Sequence, residues 1–234
     1  FASCSALGGI YIAGSATASE DEYELGTPAT LRTIGAYAFS ESQFGGQLVL
    51  SEGVETIGES AFEAASFITS VSFPESLKEI GDNAFNRIRM LRSVTFATDE
   101  NGKIKSNLKT IGESAFNSTK ITSFSVPASV TKIGDSAFSV STLKEFTFEE
   151  GRTEKVTLGV SVFGGSALTS MVLPKDLCEV TYETKTRGYL RTTFDQAWKL
   201  ADIQNMPEND KYAYEGGVFY ELNSDGVKTI VDHA

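Results

Sequence analysis

The phrase Ile-Gly-x-x-Ala-Phe, written almost unchanged at five places, constrains this chain more than any other feature. It occupies Ile34 to Phe39, Ile57 to Phe62, Ile80 to Phe85, Ile111 to Phe116 and Ile133 to Phe138, with a degenerate copy from Leu158 to Phe163. Successive copies begin 23, 23, 31, 22 and 25 residues apart. Such a period marks stacked units, none of which can bury its apolar side without a neighbour.

The rest of the unit keeps register with that phrase. The clearest copy runs Phe62, Ile68, Val71, Phe73, Pro74, Leu77 and Ile80. The step from Val71 to Phe73 has the period of two that sends both side chains to one face of a strand. One such strand per repeat predicts a parallel sheet along a solenoid. Pro74 lacks a donor and ends the strand at the bend. Leu77 to Ile80 is expected to form a second extended segment on the opposite wall, with Gly81 making the turn through a positive φ. Asp82 and Asn83 then lead into a brief helical or 3₁₀ turn that drops Ala84 and Phe85 into the core. Most of the sixteen Phe fall at two repeat positions, which predicts aromatic ladders inside the solenoid.

The pattern extends to Phe1, Leu7, Ile10 and Ile12 at the start and, more loosely, to Phe194, Leu200 and Ile203 near the end. About eight stacked coils are therefore expected over residues 1–206, mostly β with few short helical turns. Residues 207–234 are expected to add a C-terminal β-hairpin element. Two insertions, 14–28 and 98–107, break the period and should project as loops, where solenoids often carry function. The unit is also lost between Thr181 and Thr193, so the last coil is expected to pack differently.

Composition excludes several functions. The net charge of -11 repels phosphate backbones and anionic headgroups, so neither nucleic acid nor direct membrane insertion is expected. No apolar run approaches the roughly 18 residues of a spanning helix. The single His, His233, lies one residue from the end, which leaves no His-based catalytic pair and no His/Cys cluster for zinc. Cys4 and Cys178 fall on distant repeats, too far apart to bridge, and Cys178 occupies a position expected to face solvent. The acidic run Glu20 to Glu24 lacks the alternating spacing of a calcium loop. No enzyme activity and no cofactor are expected. The chain opens in mid-repeat and without Met, and it reads as a monomeric piece of a longer protein.

A unit of the form Leu-x-x-Ile-Gly-x-x-Ala-Phe followed by Leu-x-x-Val-x-Phe-Pro resembles the BspA-like leucine-rich repeats, also called the Treponema pallidum type. Pro207 to Tyr212, followed by Gly216 to Tyr220, is similar to a hairpin that often follows such repeats. The resemblance implies a leucine-rich repeat solenoid belonging to a secreted or cell-surface protein, many of them bacterial and living with animal hosts. It implies adhesion or other recognition of a protein or glycan on a host or neighbouring cell. The alternative is a structural spacer that presents another domain.

Strand alternation locates the candidate ligand face. If Val71 and Phe73 point inward, Ser70 and Ser72 point outward. The same register exposes Tyr11, Gln47, Ser93, Thr95, Ser123, Ser125, Glu145 and Thr147, a face dominated by small hydroxyls. Stacked Ser and Thr rows can also bond to each other with no ligand present. Tight protein contacts favour Tyr, Trp and Arg, which makes Tyr182, Tyr189, Trp198, Tyr212 and Tyr214 a second candidate surface.

Overall fold

A computed structural model describes residues 31–43, 45–140, 142–184, 190–215, 218–224 and 227–230. It is a solenoid of six regular coils and a seventh interrupted by a hairpin. The expected coil at Phe1 to Ile12, the insertion 14–28 and Tyr11 lie outside the described residues.

The longest sheet is on the Ile-Gly wall, not on the wall of the apolar-x-apolar strands. Seven strands, Thr33–Ile34, Thr56–Ile57, Glu79–Ile80, Thr110–Ile111, Lys132–Ile133, Val156–Leu158 and Cys178–Val180, pair in parallel in chain order. Ion pairs decorate its outside, among them Lys78 to Glu55 at 2.6 Å and Lys155 to Glu179 at 3.1 Å. Such exposed pairs contribute little to stability.

The opposite wall is broken into three pieces. Gly45–Val49, Phe67–Phe73 and Ser93–Phe96 form one sheet, Ser123–Val126 and Glu145–Phe148 a second, and Ser170–Val172 and Asp202–Gln204 a third. The first break follows the insertion 98–107, which leaves the ladder after Phe96 and closes on itself through an antiparallel bridge between Thr98 and Ile104. As expected, chain direction changes at proline: the N–H groups of Leu77, Val130 and Leu177 donate to the carbonyls of Pro74, Pro127 and Pro174.

The Gly-x-x-Ala-Phe segment forms a third wall without any helix among the described residues, which corrects the expected helical turn. Alternate N–H groups reach across to the next coil and back within their own. Ser60, Phe62 and Ala64 donate to the carbonyls of Asp82, Ala84 and Asn86, each at 2.8 Å, while Ala61, Glu63 and Ala65 donate to Gly58, Ser60 and Phe62. An α-helix would spend all of these donors internally. Here half of them hold neighbouring coils together.

The role expected of Gly81 also needs correction. Positive φ falls two residues later, at Asn83 (57°), and at the equivalent Ser60, Ser114 and Ser136. The motif glycines are small because coils touch there. A Cβ on Gly81 would stand 2.8 Å from the backbone N of Glu59.

The core is the aromatic column foreseen from the repeat. Phe62, Phe85, Phe116 and Phe138 are fully buried, and the rings from Phe39 to Phe138 stack at centroid spacings of 5.2 to 5.4 Å. Between Thr181 and Thr193 the chain makes an antiparallel hairpin, Tyr182–Thr184 with Leu190–Thr192, then returns Phe194 to the column 6.0 Å from Phe163. The C-terminal hairpin carries a third strand, so that Tyr212–Glu215, Val218–Leu222 and Lys228–Ile230 form an antiparallel sheet. Its Phe219 stacks on Phe194 at 6.0 Å.

Candidate functional site

The described residues of the candidate face lie as aligned rows in two separate patches. Gln47, Ser70 and Ser93 stand side by side, and Ser72 pairs with Thr95. Beyond the insertion, Ser123 aligns with Glu145 and Ser125 with Thr147. These side chains are exposed or half-buried, as strand alternation requires. Hydroxyl-to-hydroxyl bonding along the stripe is confined, among the described residues, to Thr147 donating to Ser125 at 3.2 Å; Ser125 in turn donates to Glu149 at 2.7 Å. The structure does not address Tyr11.

Where the second break occurs, the stripe runs into a cleft of about 570 Å³ between Glu145–Phe148 and Ser170–Val172. The two strands start together, with Ala167 N–H donating to the Leu143 carbonyl at 2.8 Å, and then diverge without a ladder between them. On the Ile-Gly wall the same two coils stay in close contact: a Cβ on Gly159 would meet the backbone N of Asp135 at 2.6 Å. The coil is thus a wedge, tight on one wall and open on the other. The core registers the opening, because Phe138 and Phe163 are linked through Phe146, which meets them edge-on at 5.0 and 4.8 Å.

The residues that make the wedge are those that fail to repeat. Loop 149–155 lengthens this coil, and its Gly151 adopts φ 82°. Within it Arg152 is only 8% exposed and lines the cleft. Its Nη1 donates to the Val130 carbonyl and its Nη2 to the Pro127 carbonyl at 2.9 Å, and the guanidinium carbon lies 5.7 Å from the Phe148 ring centre. In an earlier coil the hydroxyl of Ser76 makes the matching bond to Val54. Burial pushes the Arg152 pKa down, and no carboxylate offsets that effect. The insertion 98–107 reaches the same place: a Cβ on Gly151 would lie 3.6 Å from the Lys103 amine.

Glu145 and Thr147 of the predicted face line the cleft, and the sequence reading missed Arg152, Met171 and Leu173. The 25-residue spacing between the last two motif copies was the available signal.

Cys178 is buried, contrary to the expected exposure, and burial raises its thiol pKa to about 12. It shares a column with Lys78, but at its end that column turns apolar and inward with Val156, its strand partner. The aromatic surface is largely spent on packing: Tyr182 and Tyr212 stack at 4.8 Å, and Tyr214 donates to the Ala201 carbonyl. Trp198 is exposed, and Tyr189 lies outside the described residues. Among the described residues no group of His, Cys, Asp and Glu is placed to hold a metal ion, and no helix is long and apolar enough to cross a membrane.

The family model for the BspA type leucine rich repeat region matches residues 11–101 and 99–184, in six copies. The chain belongs to that family. The fold of this BspA-type chain is also that of a leucine-rich repeat protein from Bacteroides ovatus, with 21% identity, TM-score 0.50, and coverage of 64% of this chain and 36% of the other. A leucine rich cell surface protein from Faecalibacterium prausnitzii aligns with 21% identity and TM-score 0.45 over 79% of this chain and 53% of its own. The pneumococcal vaccine antigen PcpA aligns with 18% identity and TM-score 0.47 over 88% and 50%. The BspA-type chain therefore spans between about a third and a half of the solved chains it resembles. No curated protein matches it.

Proposed function

We propose that this BspA-type chain is a non-catalytic recognition module of a secreted or cell-surface protein, and that it binds a protein or glycan of a host or neighbouring cell. The observation that carries the reading is the cleft at the end of the exposed stripe, built by residues outside the repeat. Scaffold requirements explain the motif glycines and phenylalanines, but they do not explain why one coil should open on its strand face. Gln47, Ser70, Ser72, Ser93 and Thr95 form one candidate contact patch, and Ser123, Ser125, Glu145 and Thr147 form a second that leads into the cleft.

The test is a screen of the whole chain against immobilised glycans and host-matrix proteins, repeated with Thr147→Arg and Ser123→Arg. Both positions are exposed, so the variants should fold. A ligand whose binding falls at least tenfold in either variant supports the reading; ligands indifferent to both would sink this choice of surface.

A spacer role is favoured by a different observation, the aromatic column that runs from Phe39 to Phe219 with its bridge at Phe146. Such a column makes a stiff rod. An absence of ligands in the screen would favour this second reading.

A further inference from the structure

Arg152 is a buried cation that has no counter-ion among the described residues. Its guanidinium has five N–H donors, of which two are spent on backbone carbonyls, and Nε has no partner. The acids around the cleft do not neutralise it. Glu145, Glu149, which accepts from Ser125, and Glu150 line the cleft with Lys144 and Lys175, and among the described residues none of these acids forms an ion pair with Arg152. Taking a charge out of water is costly unless an opposite charge meets it, and the whole chain, at net charge -11, carries acid in abundance elsewhere.

The surroundings add shape to that charge. Phe148 is half-buried beside the guanidinium, and Val172, 53% exposed, faces the cleft from the other strand. The facing edges of Glu145–Phe148 and Ser170–Val172 are unpaired among the described residues, and such edges accept an extended chain through backbone hydrogen bonds. The narrow end, closed by the bond from Ala167 to Leu143, leaves the end near Arg152 as the entrance.

We propose that the wide end of the cleft takes an extended acidic peptide, with one carboxylate at the Arg152 guanidinium, an apolar neighbour on Phe148 and Val172, and backbone bonds to the edge of Glu145–Phe148. This rests on the recognition reading above and names its ligand. Carboxylate pairing with guanidinium is among the stronger charge-assisted contacts, and the free strand edges favour a polypeptide over a carboxylated sugar.

The probes are capped seven-residue peptides with a central Asp between Val or Leu, matched peptides with Asn in place of Asp, and an array of carboxylated glycans, each applied to the whole chain. Binding of the Asp series should exceed that of the Asn series at least tenfold and weaken with salt. Val172→Glu, at an exposed position, sets a like charge beside the ligand carboxylate and should cost a further tenfold, while Val172→Lys, which loses the same apolar contact without that repulsion, should cost less. Circular dichroism and melting of both variants should match the parent. Equal binding of Asp and Asn peptides, or indifference to Val172→Glu, overturns the proposal. Binding of carboxylated glycans or matrix proteins without binding of Asp peptides overturns it and leaves the recognition module standing. A chain that binds no probe of any class sinks both.

Discussion

The Cβ that Gly112 lacks would stand 2.5 Å from the backbone nitrogen of Asp82 in the preceding coil. The same Asp82 accepts the Glu113 N–H through Oδ1 at 2.7 Å, so backbone contact and side-chain cap occupy one point of the coil junction. Backbone cannot rotate away as a side chain can. Gly112→Ala should destabilise by about 1–3 kcal/mol, the range of overpacked interiors. Gly35, whose Cβ would meet nothing within 4 Å among the described residues and whose φ is not positive, serves as the comparison. Gly35→Ala should be neutral or slightly stabilising. Denaturant midpoints of the two variants, compared at constant m-value, check the contrast.

Phe116 is stacked between Phe85 at 5.4 Å and Phe138 at 5.4 Å and is fully buried. Phe116→Ala should cost about 3–5 kcal/mol, and Phe116→Leu appreciably less. Because every coil leans on its neighbours, loss at this central rung should also broaden the unfolding transition, visible by following fluorescence and circular dichroism together.

Alkaline pH should weaken the fold. Burial raises the Cys178 thiol from 9.0 to about 12 in the folded chain, and burial followed by the neighbouring Tyr212 raises Tyr182 from 10.0 to about 12. Between about pH 9 and pH 12 the unfolded chain releases protons that the folded chain retains, so stability is complete below that window and falls as pH rises through it. Cys178→Ala with Tyr182→Phe should flatten the slope. Native Cys178 should resist a thiol reagent at pH 8 and react once the chain is unfolded.

Arg152 ties loop 149–155 to Val130 and Pro127. Arg152→Ala removes two donors from buried carbonyls and should cost about 2–4 kcal/mol, in line with the loss of hydrogen bonds to a charged group. Arg152→Lys should recover only part, since one ammonium has no planar fork with which to span two carbonyls. Thermal melts of the two variants, read against Val172→Lys as an exposed control, test the difference.

The repeat was legible because its residues answer to geometry that recurs. Ile57, Ala61, Phe62, Val71 and Phe73 are inward in the structure as their spacing required. Gly81 was misread for a reason particular to solenoids. A glycine beside turn residues suggests positive φ, whereas here the demand comes from a neighbouring coil that local sequence does not contain. Asn83 and Ser60 carry the positive φ instead. The helical turn failed for the same reason, since the donors of Ser60 and Phe62 are claimed by the next coil. Cys178 was misplaced because its column is exposed at Lys78 and buried at Val156.

Sequence alone determined the periodic scaffold of this protein: the stacking unit, the aromatic column and the outward row from Ser70 to Thr147 follow from apolar spacing, which is a local property. Only the tertiary structure decided where the stack opens. In the wedge between Phe148 and Leu173, Gly159 keeps the coils in close contact on one wall while loop 149–155, tied back by Arg152 to Pro127 and Val130, borders the opening on the other. Those contacts join residues of successive coils, and their balance exists only once the coils are stacked.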